Sequence, residues 1–344
     1  MRPLLHPILV NGRFGDPALY VETLFEKRAI LLDLGDIAAL APRKVNRIDL
    51  VFVSHAHVDH FVGFDSLLRM LVGRKKTVRL FGPAGFIDRV SHKLQAYQWN
   101  LVDRFACDLS FDVAEVGESG ITASARFRLK AAFAKEPLER QPLSPGIIHS
   151  EPAFTVSAAI LEHRTPCLAF AVQEPLHVNV WKNRLAERGL EVGPWLRDLK
   201  RAVIARMADD YMIELGQSRP GGRMPLGSLR SVLTISPGQK IGYVTDVADT
   251  PANRKAIIDL VHGADVLFIE APFAKADADL AAQRAHLTTK AAGEIARDAD
   301  VRRVEPFHFS PRYEGAEGSM IAEVMDAFLR AQGHEVEPEK QGKH

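Results

Sequence analysis

Four side chains that commonly bind metal ions follow one apolar segment in the first third of the chain. His55, His57, Asp59 and His60 come directly after residues 51–53, which read Val-Phe-Val. Side chains alternate along an extended segment, so His55 and His57 share one side, and Asp59 and His60 in the following turn can face a second ion. Imidazole and carboxylate suit zinc, and paired ions lie about 3.5–4 Å apart. The pattern predicts two Zn²⁺, with Mn²⁺ or iron as open alternatives.

The chemistry expected of such a pair of ions is hydrolysis. A bound metal lowers the pKa of its water toward neutrality, so that a metal-bound hydroxide becomes available as the nucleophile. The alternative is that these histidines are only polar surface. Four potential ligands within six residues, directly after an apolar strand, argue against that interpretation.

The segments that must position these residues can be read from apolar periodicity. Strands are predicted at residues 18–24, 29–32, 49–53, 77–81, 154–161, 167–172, 240–244, 266–269 and 301–307. Helices are predicted at residues 65–72, 84–97, 252–262, 288–298 and 316–331. Strands at the start and helix-strand alternation at the end predict an α/β protein with two sheets and outer helices, a four-layer αββα sandwich.

One stretch fits this architecture poorly. Residues 174–238 contain Trp181, Trp195, a Gly193-Pro194 pair and many cations, and we expect them to leave the core as an inserted arm or flap. The alternative is an ordinary connecting region with a helix or two. The whole chain, residues 1–344, is interpreted as a single domain that includes this arm.

Composition narrows the class of protein. With 344 residues and 47% hydrophobic residues the chain can bury a large core, and its net charge of +1 predicts no strong attraction to nucleic acid or membrane as a whole. Two cysteines are too few for a disulfide framework or a cysteine-rich metal site. No apolar stretch approaches the ~20 residues that span a bilayer. We therefore expect no membrane partner and a cytoplasmic location.

Several motifs together resemble a known family. They are HAHVDH at residues 55–60, Leu-Phe-Gly-Pro-Ala-Gly at residues 80–85, residues 161–170 around His163, and Phe-His-Phe-Ser-Pro-Arg-Tyr at residues 307–313. The chain from about residue 48 onward resembles the metallo-β-lactamase superfamily and, within it, the ribonuclease Z branch, endonucleases that trim tRNA precursors at their 3′ ends. This resemblance implies the metallo-β-lactamase sandwich and an endonuclease that acts at the 3′ side of tRNA precursors.

The resemblance also implies a full set of metal ligands. His55, His57 and His163 would bind one ion, Asp59, His60 and His308 the other, and Asp246 would bridge both. Each later residue has another interpretation when it is taken alone. His163 could be an exposed strand residue, Asp246 a turn former and His308 a hydrogen-bonded core residue. All three follow apolar strands in the order that the family requires.

Phosphodiester hydrolysis also needs a base and an acid, and Asp59 is placed for the base. The resemblance implies that Glu270 pairs with His286 to support proton transfer to the leaving group, because a carboxylate raises the pKa of a neighbouring imidazole. Arg312 would bind a substrate phosphate through its planar guanidinium. The alternatives are a helix-entry role for His286, a solvated strand end for Glu270 and a surface salt bridge for Arg312.

The inserted arm resembles the tRNA-gripping arm of the ribonuclease Z branch. Two tryptophans would offer stacking surface, and the cations that would contact RNA are Lys182, Arg184, Arg188, Arg197, Lys200, Arg201, Arg206, Arg219 and Arg223. Alternatively, the charges are merely solvated and the tryptophans pack the arm together. Ribonuclease Z proteins commonly form dimers, so the resemblance also implies a homodimer.

Some positions depart from the branch and leave the substrate open. Residues 11–16, Asn-Gly-Arg-Phe-Gly-Asp, stand where a Gly-Thr-Gly turn is usual, and Ile269 stands where a histidine usually precedes the glutamate. Thr-Asp-Val at residues 245–247 replaces the usual Gly-Asp-Thr. The alternative function is hydrolysis of a small phosphodiester, sulfate ester or thioester, and a non-enzymatic scaffold is a third class.

Overall fold

The computed structural model describes residues 4–24, 26–139, 143–218 and 221–330. The strands of this part of the chain are, in order, β1 (Leu5–Leu9), β2 (Leu19–Thr23), β3 (Arg28–Leu32), β4 (Ile48–Phe52), β5 (Lys76–Pro83), β6 (Leu109–Gly117), β7 (Gly120–Arg128), β8 (Lys135–Pro137), β9 (Ile147–Ser150), β10 (Thr155–Glu162), β11 (Pro166–Gln173), β12 (His177–Val180), β13 (Met212–Glu214), β14 (Arg223–Pro225), β15 (Leu233–Ser236), β16 (Lys240–Val244), β17 (Val266–Glu270) and β18 (Val304–Phe307). The α-helices are α1 (Pro42–Val45), α2 (Val58–Phe61), α3 (Phe64–Leu71), α4 (Phe86–Gln95), α5 (Lys182–Glu187), α6 (Trp195–Ile204), α7 (Leu226–Leu229), α8 (Pro251–Val261), α9 (Ala278–Arg284), α10 (Thr289–Asp298) and α11 (Glu317–Leu329).

Two large sheets form the centre of the molecule. The first has eight strands in chain order from β1 to β8, and β3, β4, β5 and β6 run parallel to one another. The second has six strands in the order β18-β17-β16-β11-β10-β9, with β16, β17 and β18 parallel. Parallel neighbours bring the carboxyl ends of successive strands to one edge of a sheet.

Three apolar clusters hold the layers together. One lies between the two sheets and includes Phe52, Phe81, Phe170 and Tyr243, all fully buried. A second packs α3 and α4 on the outer face of the first sheet, and a third packs α8, α10 and α11 on the outer face of the second. The predicted four-layer αββα sandwich is confirmed.

The predicted elements agree with the observed ones except in a few places. The helix predicted from residue 84 begins at Phe86, because Gly85 takes a left-handed conformation with φ 82°. The strand predicted from residue 301 begins only at Val304, after a turn in which Asp300 has φ 52°. Helix α11 ends at Leu329, and residue 331 lies outside the described residues.

Other strands were not predicted. Strands β6 and β7, which the sequence analysis missed, form a long antiparallel hairpin. The analysis also missed β1 and the short strands β8 and β9. In β7 several residues that face outward are small or polar, so its apolar alternation is weak.

Residues 174–238, called the arm below, leave the second sheet between two neighbouring strands. Strand β11 ends at Gln173 and β16 begins at Lys240, and these two residues are paired across the ladder. The arm contains two small sheets, β12-β15 and β13-β14, and its own apolar cluster around Leu199, Leu226 and Leu229. Both ends of the arm therefore start from one point of the second sheet.

The two tryptophans of the arm differ in exposure. Trp195 is only 3% exposed and donates its indole N–H to the carbonyl of Glu191, so its prediction as stacking surface is wrong and it packs the core of the arm. Trp181 is 45% exposed and lies under the guanidinium of Arg184. Arg219 lies outside the described residues. None of the helices in the described ranges is long and apolar enough to span a bilayer.

Candidate metal centre

The ends of several strands meet at one edge of the sandwich. His55 follows β4, His163 lies in the turn between β10 and β11, Asp246 follows β16 and His308 follows β18. Asp246 and His308 both have positive φ, 26° and 58° respectively. Non-glycine residues in that region are strained and cluster at functional sites. The fold thus brings side chains from distant parts of the chain to one location.

A first group of potential ligands consists of His55, His57, His163 and Asp246, whose ligand atoms all lie within 4.8 Å of one another. The Oδ2 atom of Asp246 lies 3.6 Å from His55 Nε2 and 3.4 Å from His163 Nε2. This is the set that the sequence analysis predicted for the first ion and the bridge.

A second group consists of Asp59, His60 and His308, within the same limit. Asp59 Oδ2 lies 3.3 Å from His60 Nε2 and 3.5 Å from His308 Nε2. The second oxygen of Asp246, Oδ1, faces this group, at 3.4 Å from His60 Nε2 and 3.0 Å from His308 Nδ1. Asp246 therefore presents one carboxylate oxygen to each group, as a bridging ligand must.

The hydrogen bonding of the imidazoles fits divalent metal ions. His55 Nε2, His60 Nε2 and His308 Nδ1 are buried without a hydrogen-bond partner. The Nδ1 atoms of two of the histidines have partners: His55 Nδ1 lies 3.1 Å from the Ser54 hydroxyl, and His163 Nδ1 lies 2.7 Å from the carbonyl oxygen of Ala285. Partners of this kind fix the tautomer and orientation of metal-binding histidines. Unpaired buried nitrogens beside carboxylates are the donor set that such ions take.

Asp33 is hydrogen-bonded to residues of the centre, and the sequence analysis missed it. This fully buried carboxylate accepts hydrogen bonds from the backbone N–H of Ser54 at 2.6 Å, the Ser54 hydroxyl at 2.9 Å and the Tyr243 hydroxyl at 2.9 Å, and pairs with His60 Nδ1 at 2.8 Å. The signal in the sequence is a single aspartate directly after the apolar residues of β3. Asp33 thus positions His60 and the start of the histidine-rich turn.

Close backbone packing fixes the turn that carries Asp59. A Cβ atom on Gly35 would lie 2.5 Å from the Asp59 carbonyl oxygen, and one on Gly63 would lie 2.0 Å from the carbonyl oxygen of Gly35. Any side chain at these two glycines would displace the turn. Asp59 is thereby held with its carboxylate toward His60 and His308.

The metal-free centre holds protons at specific ligands. Burial lowers the pKa of His60 and of His308, but the surrounding carboxylates, Asp246 foremost, together outweigh burial and hold both well above the ordinary value. Burial raises the pKa of Asp246, but His308 and His60 hold it well below its usual range. Burial lowers the pKa of His55 to about 4. These shifts favour the protonated forms of His60 and His308 and the neutral form of His55.

Metal uptake is therefore expected to release protons. A raised pKa means that His60 and His308 keep their protons at neutral pH until a metal displaces them, so affinity for Zn²⁺ should rise with pH. Calorimetric titration at pH 7 in buffers of different ionisation enthalpy should show release of about two protons per protein. A His149→Gln variant, altered at a histidine outside the centre, should release the same number. Binding without proton release would contradict the assignment.

Buried Glu270 and half-buried His286 form a pair beside both ligand groups. Glu270 Oε2 lies 2.8 Å from His286 Nδ1, and Glu270 Oε1 accepts the backbone N–H groups of Val247 and Leu287 at 3.1 and 3.0 Å. Burial raises the pKa of Glu270, but His286 and His308 together outweigh burial and bring the pKa to about 2. Burial lowers the pKa of His286, but Glu270 raises it above the ordinary value.

The alternative interpretations were a solvated strand end for Glu270 and a helix-entry role for His286. Glu270 is fully buried, so the interpretation of a solvated strand end is wrong. Thr288 does cap α10 by accepting the N–H of Ala291, and His286 just before it still points its ring toward His163, with ring centroids 4.7 Å apart. Asp246, Glu270, His286 and His308 also have ligand atoms within 4.8 Å of one another. The catalytic role of the pair stays a prediction.

Arg312 lies four residues after His308. Its side chain is exposed. No described carboxylate lies within ion-pair distance of its guanidinium, so the described residues offer no partner for the alternative surface salt bridge. Its role in binding phosphate stays a prediction.

Comparisons with known proteins address the family. Residues 28–140 and 214–309 match a family model described as a beta-lactamase superfamily domain. A ribonuclease Z from Deinococcus radiodurans is 32% identical over 306 residues, which cover 88% of this chain and 88% of the relative. A ribonuclease Z from Brevibacillus brevis is 28% identical over 301 residues, 85% of this chain and 79% of the relative.

Solved structures show the same fold. The short form of human tRNase Z aligns with a TM-score of 0.53 at 17% identity, covering 90% of this chain and 94% of that structure. A metallo-β-lactamase fold protein from Bacillus subtilis also aligns at 0.53, with 15% identity and coverages of 94% and 92%. At these identities the structural likeness concerns the fold alone.

Proposed function

The chain belongs to the ribonuclease Z family of the metallo-β-lactamase superfamily, and from this membership we propose that it is a metal-dependent endoribonuclease that cleaves tRNA precursors at their 3′ side. One observation carries the catalytic part of the proposal. Asp246 directs one oxygen to His55 and His163 and the other to His60 and His308. Such a carboxylate between two histidine groups suits a pair of divalent ions.

The proposed cofactors are two Zn²⁺, with Mn²⁺ or iron as alternatives. His55, His57 and His163 would hold one ion, Asp59, His60 and His308 the other, and Asp246 both. Neutral imidazoles with few carboxylates favour zinc over the oxygen-seeking Mg²⁺ and Ca²⁺. Ions bound there would neutralise charge on the phosphoryl oxygens and lower the pKa of water. Elemental analysis of the purified protein identifies the metal.

The protein's own groups then have distinct tasks. Asp59 would orient the attacking water and accept its proton, since its carboxylate faces the second ligand group and is partly open to solvent. Glu270 holds His286 as a proton donor, so that its second nitrogen can deliver a proton to the leaving oxygen. Arg312 would bind a phosphate of the substrate.

A substrate panel tests the proposed activity. A labelled tRNA precursor and bis(p-nitrophenyl) phosphate should be compared with the zinc-loaded enzyme and after chelation. We expect cleavage at the 3′ side of the tRNA and its loss on chelation. Turnover of the small ester alone would favour the alternative, a hydrolase of a small phosphodiester, sulfate ester or thioester. No turnover of any substrate with metal retained would favour a binding scaffold.

We propose that the chain is one domain from which the arm projects to contact RNA. Cations lie along it: Lys182, Arg197 and Arg206 are exposed, Lys200 is half-buried, and none of the four makes an ion pair with a described residue. Trp181 offers an exposed ring stacked under Arg184. Unpaired cations and an exposed aromatic ring suit binding of an RNA backbone by charge and shape.

Removal of the arm is expected to weaken RNA binding and leave the metal centre intact. His177 and Ser236 are paired at the base of the arm, so residues 178–235 can be replaced by an Asn-Gly hairpin turn. We expect KM for a tRNA precursor to rise about 10²-fold, as for the loss of several phosphate contacts. Metal content and turnover of bis(p-nitrophenyl) phosphate are the controls. Unchanged cleavage of the precursor would contradict the proposed role.

We further propose that the protein forms a homodimer in the cytoplasm. The family supports the dimer, and the two free thiols, Cys107 and Cys167, fit a reducing compartment. Light scattering of the zinc-loaded protein should give twice the monomer mass of 38.1 kDa.

A further inference from the structure

A pocket of about 280 Å³ opens beside the candidate metal centre. On the side of the centre it is lined by Asp59, His286 and His308, and on the other side by Phe14 and Phe273. Pockets that enclose drug-sized ligands measure about 300–1,000 Å³, so this one suits a single planar group rather than a larger molecule. It will be called the Phe14 pocket.

Phe14 is the aromatic residue whose ring remains available in this pocket. Phe309 and Phe273 are 1% and 8% exposed, whereas Phe14 is only half-buried. The Phe14 ring meets Phe309 edge to face, with centroids 5.5 Å apart and an interplanar angle of 71°. A contact of this geometry occupies at most one face of the Phe14 ring, and the half-buried ring lines the pocket.

The loop that carries Phe14 is held firmly against the second sheet. Arg13 pairs with Glu305 at 2.7 Å, and its carbonyl oxygen accepts the backbone N–H of Phe309 at 2.8 Å. The Asn11 side chain donates to the carbonyl oxygen of Asp16 at 2.8 Å, which closes the loop. A Cβ atom on Gly15 would lie 2.6 Å from the Asn11 Cβ, so the loop is as tight as glycine permits. The wall of the pocket is therefore formed in advance of binding.

We propose that the Phe14 pocket binds one nucleobase of the RNA, stacked on the Phe14 ring. The base belongs to the nucleotide that carries the leaving oxygen, because the pocket is lined by His286, the residue assigned to proton delivery. The proposal rests on the proposed endoribonuclease function. Since every base has a π face, stacking of this kind tolerates different sequences.

Phe14 would act as a specificity element, because the loop at residues 11–16 brings an apolar ring to the edge of the centre. A substrate that has a base next to the scissile phosphate gains this contact, and a simple ester does not. The Phe14 pocket therefore favours nucleic acid over small esters.

The test combines a substitution in the protein with removal of a base from the RNA. Wild type and Phe14→Ala are compared on a tRNA precursor and on precursors that lack the base on one or the other side of the scissile phosphate. The chemical ends of the products identify which nucleotide carried the leaving oxygen. One stacked base corresponds to about a tenfold effect. We expect Phe14→Ala to lower kcat/KM about tenfold on the intact RNA, and Phe14→Trp to restore it.

The effects of Phe14→Ala and of base removal on kcat/KM should not be additive. Removal of the base on the leaving side should cost wild type about tenfold, and should cost Phe14→Ala almost nothing further, because the partner of that base is already gone. Tyr97→Ala removes an exposed aromatic side chain on the opposite side of the first sheet, and should show the wild-type response. Equal losses from Phe14→Ala on every substrate would mean that Phe14 only supports the loop, and would overturn the proposal. Failure of wild type to cleave any RNA would instead contradict the endoribonuclease function on which it rests.

Discussion

Asp246→Asn is expected to reduce RNA cleavage at least about 10³-fold and to lower the content of bound metal. Loss of residues that merely support metal ligands costs about 10–100-fold in affinity or activity, and Asp246 contacts both ligand groups directly. The substitution keeps the shape of the side chain but removes its negative charge. That charge is what balances His60 and His308 in the metal-free protein.

Two measurements separate this effect from misfolding. Elemental analysis should show a loss of metal, and the thermal unfolding of the metal-free variant should remain cooperative. Asp249→Asn is the matched control, since Asp249 is an exposed carboxylate three residues further on that pairs with Arg254. Full metal content and near-normal cleavage in Asp246→Asn would show that the carboxylate does not bridge two ions.

The second large effect is expected from His286→Ala. A positioned acid or base contributes about 10²–10⁴-fold, so kcat for a tRNA precursor should fall within that range. The ribose oxygen that leaves from RNA needs a proton, whereas p-nitrophenolate leaves readily without one. The substitution should therefore affect bis(p-nitrophenyl) phosphate much less than RNA.

The metal content distinguishes proton delivery from metal binding at His286, which lies close to Asp246 and His308. We expect His286→Ala to retain its metal. Glu270→Gln keeps a hydrogen-bonding side chain at 270 but removes the charge that raises the pKa of His286, and should give a smaller loss in the same direction. Equal losses on RNA and on the nitrophenyl ester would exclude an acid role for His286.

Much of the centre could be predicted because its residues follow apolar strands. HAHVDH places four donors on one turn, and His163, Asp246 and His308 each follow a segment whose periodicity is readable without a structure. The resemblance to ribonuclease Z then ordered them into two groups. The second carboxylate oxygen of Asp246 and the unpaired nitrogens of His55 and His60 became visible only in three dimensions.

The features that the sequence analysis missed depend on packing between segments that lie far apart in the chain. Asp33 is a single carboxylate after a strand, and its task follows from Ser54, His60 and Tyr243, which lie far from it in the chain. Trp195 belongs to the core of the arm because α6 presents it to Leu199 and Leu226, and composition cannot distinguish a buried indole from an exposed one. The Phe14 pocket likewise requires Phe309 and His286 to meet the N-terminal loop.

The pairing of Gln173 with Lys240 has a consequence for how this protein can diverge over time. A segment inserted between two paired residues of neighbouring strands can be lengthened, shortened or exchanged while the two strands keep their register. With the proposed RNA contacts in residues 174–238, mutations there can change substrate choice while the ligand residues at the ends of the two sheets stay the same. A different substrate specificity can therefore arise by exchange of residues 174–238 as one segment.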